Sequence, residues 1–307
     1  MTMVEHAERY VGLKRHVGFR YRSQGWVVRA YARYAAEHGD QFMLNARVIE
    51  WSAKTSSIHF AKEKLRQLRD FALWLRAEDE RHEVPPRHAF GRPQRVRPTP
   101  YLLTPADIER LMEAALSLPP AGTITPHTFR FVIGLMAATG LRRSEAVSLR
   151  LTDILPEGLL IRQTKYRKSR LVVLHDTVRE ALNRYLEMRN RHGGADNHLL
   201  ILWTGKPPTR NYLSTMFVKL ARRTGLRGKT EERGPCLHSL RHTFAVRALE
   251  RASLPDRDSV NRHMLALSTY LGHGSVANTY WYLEATPALL KSVAGAAEEA
   301  YTGRASL

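Results

Sequence analysis

Apolar residues recur through the first hundred positions at three- and four-residue steps, the spacing that places them on one face of a helix. The stretch from Trp26 to Ala36 shows it, Ala46 to Ala53 shows it briefly, and Ser57 to Leu75 shows it best. There Ala61, Leu65, Leu68, Ala72 and Leu75 share a face, while Lys62, Arg66, Arg69 and Arg76 lie off it. Ser56 or Ser57 is placed to cap that helix. The pattern stops at residues 84–100, VPPRHAFGRPQRVRPTP, which hold five prolines and four arginines. Proline removes an amide donor and opposes helix, so this segment reads as an extended linker.

Helical spacing returns at Thr104, a capping residue followed by Pro105 and an acidic first turn. A second helix over Thr125–Ala138 ends at Thr139-Gly140, and Ser144-Glu145 opens a third. The period then changes. Leu159–Arg162 and Arg170–Leu174 read as strands flanking the basic turn TKYRKS, and Leu199–Trp203 reads as another strand. Helices are expected from about Asp176 and over Arg210–Thr224, Leu237–Arg251, Val260–Tyr270, Val276–Tyr282 and Pro287–Tyr301. The expected architecture is mainly α with a small β-sheet, in two parts: helical residues 1–83 and mixed α/β residues 101–307, joined by the 84–100 linker.

Charge adds a partner to this picture. The 307 residues carry 48 Lys+Arg against 29 Asp+Glu, a formal net charge of +19, and most of the cations are arginine. Residues 1–100 hold 19 basic and 11 acidic side chains, so both parts are basic. Such an excess costs self-repulsion and suits a polyanion, and the arginine fork matches phosphate oxygens. A nucleic acid touched from two sides is the expected ligand. Cys236 is the single cysteine, which excludes an intramolecular disulfide and a cysteine-based metal site. No apolar run reaches membrane-span length, the longest being Phe131–Ala138, and MTMVEHAERY lacks an apolar signal region. The expected location is cytoplasmic, with the nucleoid. The phosphate-cradling GxxxxGK loop is missing. His238 and His242 have metal-ligand spacing, but the glutamate of HExxH and a third ligand are not in view.

Four clusters carry candidate chemistry: ATGLRRSEAVSLR (138–150), TKYRKSR (164–170), HSLRHTFAVRAL (238–249) and YLGHGSVANTYWYLEATP (270–287). On a helix, His238 and Arg241 lie on one face, a proton-transfer group and a cation aimed at one point. Arg142 follows a helix break, and His273 lies between two glycines. In order, these strings resemble the tyrosine recombinases, the family of phage integrases and of the bacterial recombinases that resolve chromosome dimers. Motifs carry the resemblance over about residues 100–290, and residues 1–98 are loosely similar to the family's helical core-binding domain.

The resemblance implies a two-domain clamp on double-stranded DNA, with residues 101–307 as catalytic domain. Arg142 and Arg241 match the catalytic arginines, Glu145 the acidic residue supporting the first, and Lys165 the catalytic lysine, with Lys168 as alternative in the same turn. His238 completes the His-x-x-Arg pair, His273 matches the second histidine, and Tyr282, nine residues beyond it, the nucleophile; Tyr280 is its decoy. The chain departs from the family in a longer stretch before His273, containing LPDRDSVNRH. The implied reaction needs neither metal nor ATP. Two guanidiniums stabilise a five-coordinate phosphorus, Tyr282 attacks with His238 as base, Lys165 protonates the leaving 5′ oxygen, and a 3′-phosphotyrosyl link conserves the bond. Strand exchange implies a homotetramer on paired sites, with related recombinases or DNA-bending proteins as possible accessories and a mobile element as setting. The segment from Pro287 is expected to dock on a neighbouring protomer. The rival readings are a type IB topoisomerase-like enzyme and a non-enzymatic DNA-binding relative.

Overall fold

The computed structural model describes residues 1–55, 57–92, 99–162, 169–193, 196–228, 234–252, 257–273 and 275–282. The chain divides into two compact units, Met1–Arg97 and Pro98–Leu307. Among the described residues both are mainly helical, and the second contains a small sheet.

The first unit holds four helices: α1 (Met3–His16), α2 (Arg22–Glu37), α3 (Asn45–Ala53) and α4 (Ile58–Arg76). The apolar face expected on α4 is buried, Leu65, Leu68, Phe71 and Leu75 being at most 2% exposed. Large rings fill the space between helices. Tyr10 packs on Phe71 at 5.1 Å and Tyr31 on Trp51 at 5.8 Å between ring centres. Two expectations need correcting. Helix α1 has no counterpart in the sequence reading, although Met3, Ala7, Tyr10 and Val11 follow helical spacing and are buried. Trp26, placed on the buried stripe, is 56% exposed, because α2 turns Val27, Val28 and Tyr31 inward instead. Ser57 is the N-cap residue of α4 but makes no capping hydrogen bond with its side chain.

The second unit is built around α6 (Ile124–Thr139), whose one charged residue, Arg130, leaves it apolar on nearly every side. Around it pack α5 (Pro105–Ala115), α8 (Asp176–His192) and α10 (Leu237–Glu250). The capping box expected at Thr104 is formed, with Asp107 N donating to Thr104 Oγ1 at 3.1 Å and Thr104 N to Asp107 Oδ2 at 2.8 Å. The sheet has three antiparallel strands in order β1 (Ile154–Leu155), β2 (Gly158–Ile161) and β3 (Arg170–Val173), with Leu159 opposite Val172. The remaining helices are α7 (Arg143–Ser148), α9 (Arg210–Arg223), α11 (Arg257–Leu271) and α12 (Ala277–Tyr280), the last followed by a 3₁₀ turn at Trp281–Tyr282.

Leu199–Trp203 is not a strand. An isolated bridge joins Arg150 to His198, and the run then threads the core singly. Leu199, Leu200 and Ile201 are fully buried; Leu199 N donates to Leu149 O at 2.8 Å and Leu202 N to Lys206 O at 2.9 Å, and side chains serve the rest of the run: Tyr185 Oη accepts from Ile201 N, Thr125 Oγ1 accepts from Trp203 N at 2.9 Å, and Thr128 Oγ1 donates to Ile201 O at 2.7 Å. An apolar run gives the burial of such a segment but not its hydrogen-bond partners. The Pro287–Tyr301 helix lies outside the described residues.

Gly140 ends α6 at φ +61, and a methyl group there would meet Phe244 Cδ1 at 2.6 Å. Gly140→Ala adds left-handed strain to that clash. It should lower unfolding free energy by about 2 kcal/mol, read as a reduced urea midpoint at unchanged slope.

Candidate functional site

The break at Gly140 turns the chain so that Arg142 becomes the N-cap of α7, one turn before Glu145. Glu145 Oε2 accepts from Arg142 N at 2.9 Å, and Oε1 accepts from Arg142 Nη1 at 2.8 Å. A second arginine closes on the same carboxylate. Arg170, the first residue of β3, donates from Nη1 to Oε1 at 3.0 Å and from Nη2 to Oε2 at 2.8 Å. Burial alone raises the Glu145 pKa. The Arg170 guanidinium, then Arg142, overcomes it, and the carboxyl ends below its ordinary value.

The last carbonyls of α11 gather the cations. Arg170 Nε donates to Tyr270 O at 2.7 Å, Arg241 Nη2 to Leu271 O at 2.8 Å, and Arg142 Nη2 to Gly272 O at 2.6 Å. Three guanidiniums thus cap three consecutive carbonyls at the negative end of a helix. Arg241, only 1% exposed, also donates from Nη1 to Gly140 O at 2.7 Å. Burial, then the neighbouring Arg142, lowers its pKa to about 10, so it stays charged at neutral pH. Gly272 has φ +65, and a Cβ there would lie 2.7 Å from Arg170 Nη1 and 3.4 Å from Arg142 Nη1. The guanidiniums need that position empty.

His273 follows this cap, and its Nδ1 pairs with Thr279 Oγ1 at 2.7 Å. Its ring lies nearly parallel to that of Tyr282, 6.3 Å between centres. Tyr282 is 2% exposed, in an apolar cluster with Ala245, Val246 and Leu249 of α10 and Met264, Leu267 and Leu271 of α11. Its hydroxyl lies 3.1 Å from His242 Nδ1. His238 meets the His242 ring edge to face at 4.3 Å, an arrangement in which the two do not converge on a metal. Burial is the main cause holding both His242 and His273 down to about 4, with adjoining cations adding to it. His238 is exposed, yet the protein crowding its ring, then Arg241, Arg142 and Arg143, lowers its pKa too.

Six sequence-selected residues therefore come together: Arg142, Glu145, His238, Arg241, His273 and Tyr282. Lys165 and Lys168 lie outside the described residues. Arg143, the neighbour of Arg142, is exposed and donates to Ser214 Oγ instead. Tyr280, the decoy, is 43% exposed and bonds Asn261. Sequence reasoning missed two members. Arg170 was visible only as the end of a basic turn, and His242 only as half of a metal spacing.

Residues 102–288 match the phage integrase family. The chain is 34% identical over 94% of its length to a putative integrase/recombinase, y4rB, of Sinorhizobium fredii, covering 95% of that protein. It is 30% identical over 74% of its length to tyrosine recombinase XerC of Erythrobacter litoralis, covering 69% of it. The fold is similar to that of lambda integrase, solved as a tetramer bound to a Holliday junction. The TM-score is 0.63 at 18% identity, covering 90% of this chain and 78% of that one.

Two tests follow from the electrostatics. Arg170→Leu leaves a buried carboxylate short of its bidentate partner and should cost roughly 3 kcal/mol of stability in urea unfolding; Arg170→Lys, which keeps charge but not the fork, should fall between. His242 and His273 stay neutral when folded but bind a proton near pH 6.5 when unfolded. Their contribution is therefore present above that pH and lost as pH falls from about 6.5 towards 4. A His242→Asn/His273→Asn protein should lose less stability over that window than the unaltered chain, by on the order of 2 kcal/mol, measured as unfolding free energy against pH.

Proposed function

Because the chain belongs to the phage integrase family, the tyrosine recombinases that cleave and rejoin DNA, we propose that it is the site-specific recombinase of a mobile element, acting through a 3′-phosphotyrosyl intermediate on Tyr282. The observation that carries this reading is the gathering of Arg142, Arg241, His273 and Tyr282 around the end of α11, from segments up to 140 positions apart.

Cations outnumber anions in this cluster, with Arg142, Arg170 and Arg241 facing the single carboxylate of Glu145. A phosphodiester entering it finds donors already aimed, so the arginines stabilise growing charge on the non-bridging oxygens without first reorganising. Glu145 and Arg170 orient Arg142. His238 and His273 line the approach to Tyr282 and supply hydrogen bonds to phosphate or phenol. Lys165, in the sequence between β2 and β3, protonates the leaving 5′ oxygen, with Lys168 the alternative. Tyr282 is enclosed, and turning its ring outward costs about 2 kcal/mol of apolar burial. DNA binding has to recover that sum, which links cleavage to a bound site.

Residues 1–83 act as a helical DNA-binding domain and 84–100 as a linker. Residues 101–307 form the catalytic domain, the two parts clamping double-stranded DNA. Four protomers on two paired sites perform strand exchange, a reading supported by the tetrameric lambda integrase complex. Related recombinases or DNA-bending proteins are candidate accessories, the reaction uses no cofactor, and the site of action is the bacterial nucleoid.

Covalent trapping tests the reading. The chain is expressed with its native flanking DNA, cells are lysed under denaturing conditions, and protein-linked DNA is recovered and sequenced. Linked 3′ ends at one reproducible position are expected from the unaltered chain and none from Tyr282→Phe. Ends from both proteins would reassign the nucleophile, with Tyr280 next in line.

A further inference from the structure

The ring at the nucleophile's hydroxyl is one to which the family motif assigns no task. His242 Nδ1 lies 3.1 Å from Tyr282 Oη, and the His242 ring is fixed from two sides, edge to face against His238 at 4.3 Å and against Trp281 at 5.1 Å between centres. It follows Arg241 directly on α10. Successive helical residues point about 100° apart, so one rigid helix aims Arg241 at Gly140 O and Leu271 O and the next side chain at Tyr282. The distance between a phosphate-facing cation and the nucleophile's partner is thereby built into a single turn.

The protonation state suits a hydrogen-bond acceptor. Burial, then His238 and Arg241 from α10 and His273 beyond α11, holds the ring neutral at physiological pH. In the tautomer with the proton on Nε2, Nδ1 presents a lone pair to the phenol. We propose that His242 is a catalytic residue, holding Tyr282 by accepting its hydroxyl hydrogen bond at Nδ1 and taking the phenolic proton when Tyr282 attacks.

This assignment rests on the reading of Tyr282 as nucleophile, and it moves the base from His238 to the next turn of the same helix. The phosphate itself completes it. Burial is the larger cause that depresses the His242 ring, and an anion held beside Arg241 offsets the smaller, cationic part, so basicity rises when substrate is present. In the step, the Tyr282 O–H bond breaks, its proton passes to Nδ1, and a bond forms from Oη to phosphorus. The bond from phosphorus to the 5′ oxygen breaks, and that oxygen leaves with a proton from the leaving-group acid. In rejoining, the imidazolium returns the proton to the departing phenolate.

The test takes purified His242→Phe and His242→Asn, beside the unaltered chain and Tyr282→Phe, to DNA carrying the site mapped by trapping, following covalent adduct formation over time in buffers of set pH and DNA binding by gel shift. Phenylalanine keeps the packing against Trp281 and removes the acceptor; asparagine places Oδ1 near the position of Nδ1 without a basic site. The expected result is adduct formation at least tenfold slower for His242→Phe with DNA binding retained. His242→Asn should recover part of the rate and then gain rate with pH between 7 and 9, as solvent replaces the missing base, while the unaltered chain stays nearly flat. His242→Phe matching the unaltered chain overturns the assignment. So do equal losses in both variants with no change in pH dependence, which mark a merely structural ring. Should His242→Phe fail to fold, the pH slope of His242→Asn decides alone. No adduct from the unaltered chain, or adduct from Tyr282→Phe, defeats the reading of Tyr282 and this assignment with it; the other outcomes bear on His242 only.

Discussion

Glu145 is 9% exposed, with Arg142 on one side and Arg170 on the other, and the geometry of the site descends from that carboxylate. A buried anion is tolerated only when its lone pairs are occupied and its charge is matched. Meeting that demand fixes the start of α7, because Arg142 is the N-cap, and the start of β3, because Arg170 is its first residue. Both arginines then have donors left over, and these reach the final carbonyls of α11. Arg241 joins them from α10. Two ion pairs on one carboxylate therefore join α7, β3 and the end of α11, and Arg241 adds α10 to them. The backbone carbonyls supply partial negative charge without adding any carboxylate that would repel a phosphate.

The proposed nucleophile obeys a different constraint. Tyr282 belongs to an apolar cluster between α10 and α11, while its hydroxyl lies by His242 and its ring lies alongside that of His273. Amphipathic rings are often shared in this way between a core and a polar site. Here the two halves of the ring set opposing demands. The hydrocarbon part favours the enclosed position, and the proposed chemistry requires the oxygen to reach phosphorus. The helices that build the arginine cap also build the apolar pocket, so a disturbance at one is felt at the other.

Much of this arrangement is legible in the sequence, for identifiable reasons. TGLRRSE marks a helix stop, an arginine and a supporting acid in seven letters, and the structure uses each. HSLRHTFA places Arg241 on a helix, as its spacing requires. The capping box at Thr104 is local and is read directly. What escapes is whatever depends on a backbone partner or on distance. No letter encodes a carbonyl acceptor, so nothing in the string tells that Arg170 spans from Glu145 to Tyr270 O. The spacing of His238 and His242 invites a metal reading, whereas the consequential neighbour of His242 lies forty positions away. Leu199–Trp203 has the composition of a strand, but its hydrogen-bond partners are single carbonyls of Leu149 and Lys206 and the hydroxyls of Thr125, Thr128 and Tyr185, the last three placed by the packing of α6 and α8.

Gly272 has no functional group, yet two positively charged side chains border the space a side chain there would take. A mutational map would mark that position as intolerant beside the arginines and the tyrosine, and a search restricted to reactive groups would pass over it. The information held there is a reserved volume. It leaves room for two guanidiniums beside one stretch of backbone, and any larger residue would spend that volume on itself.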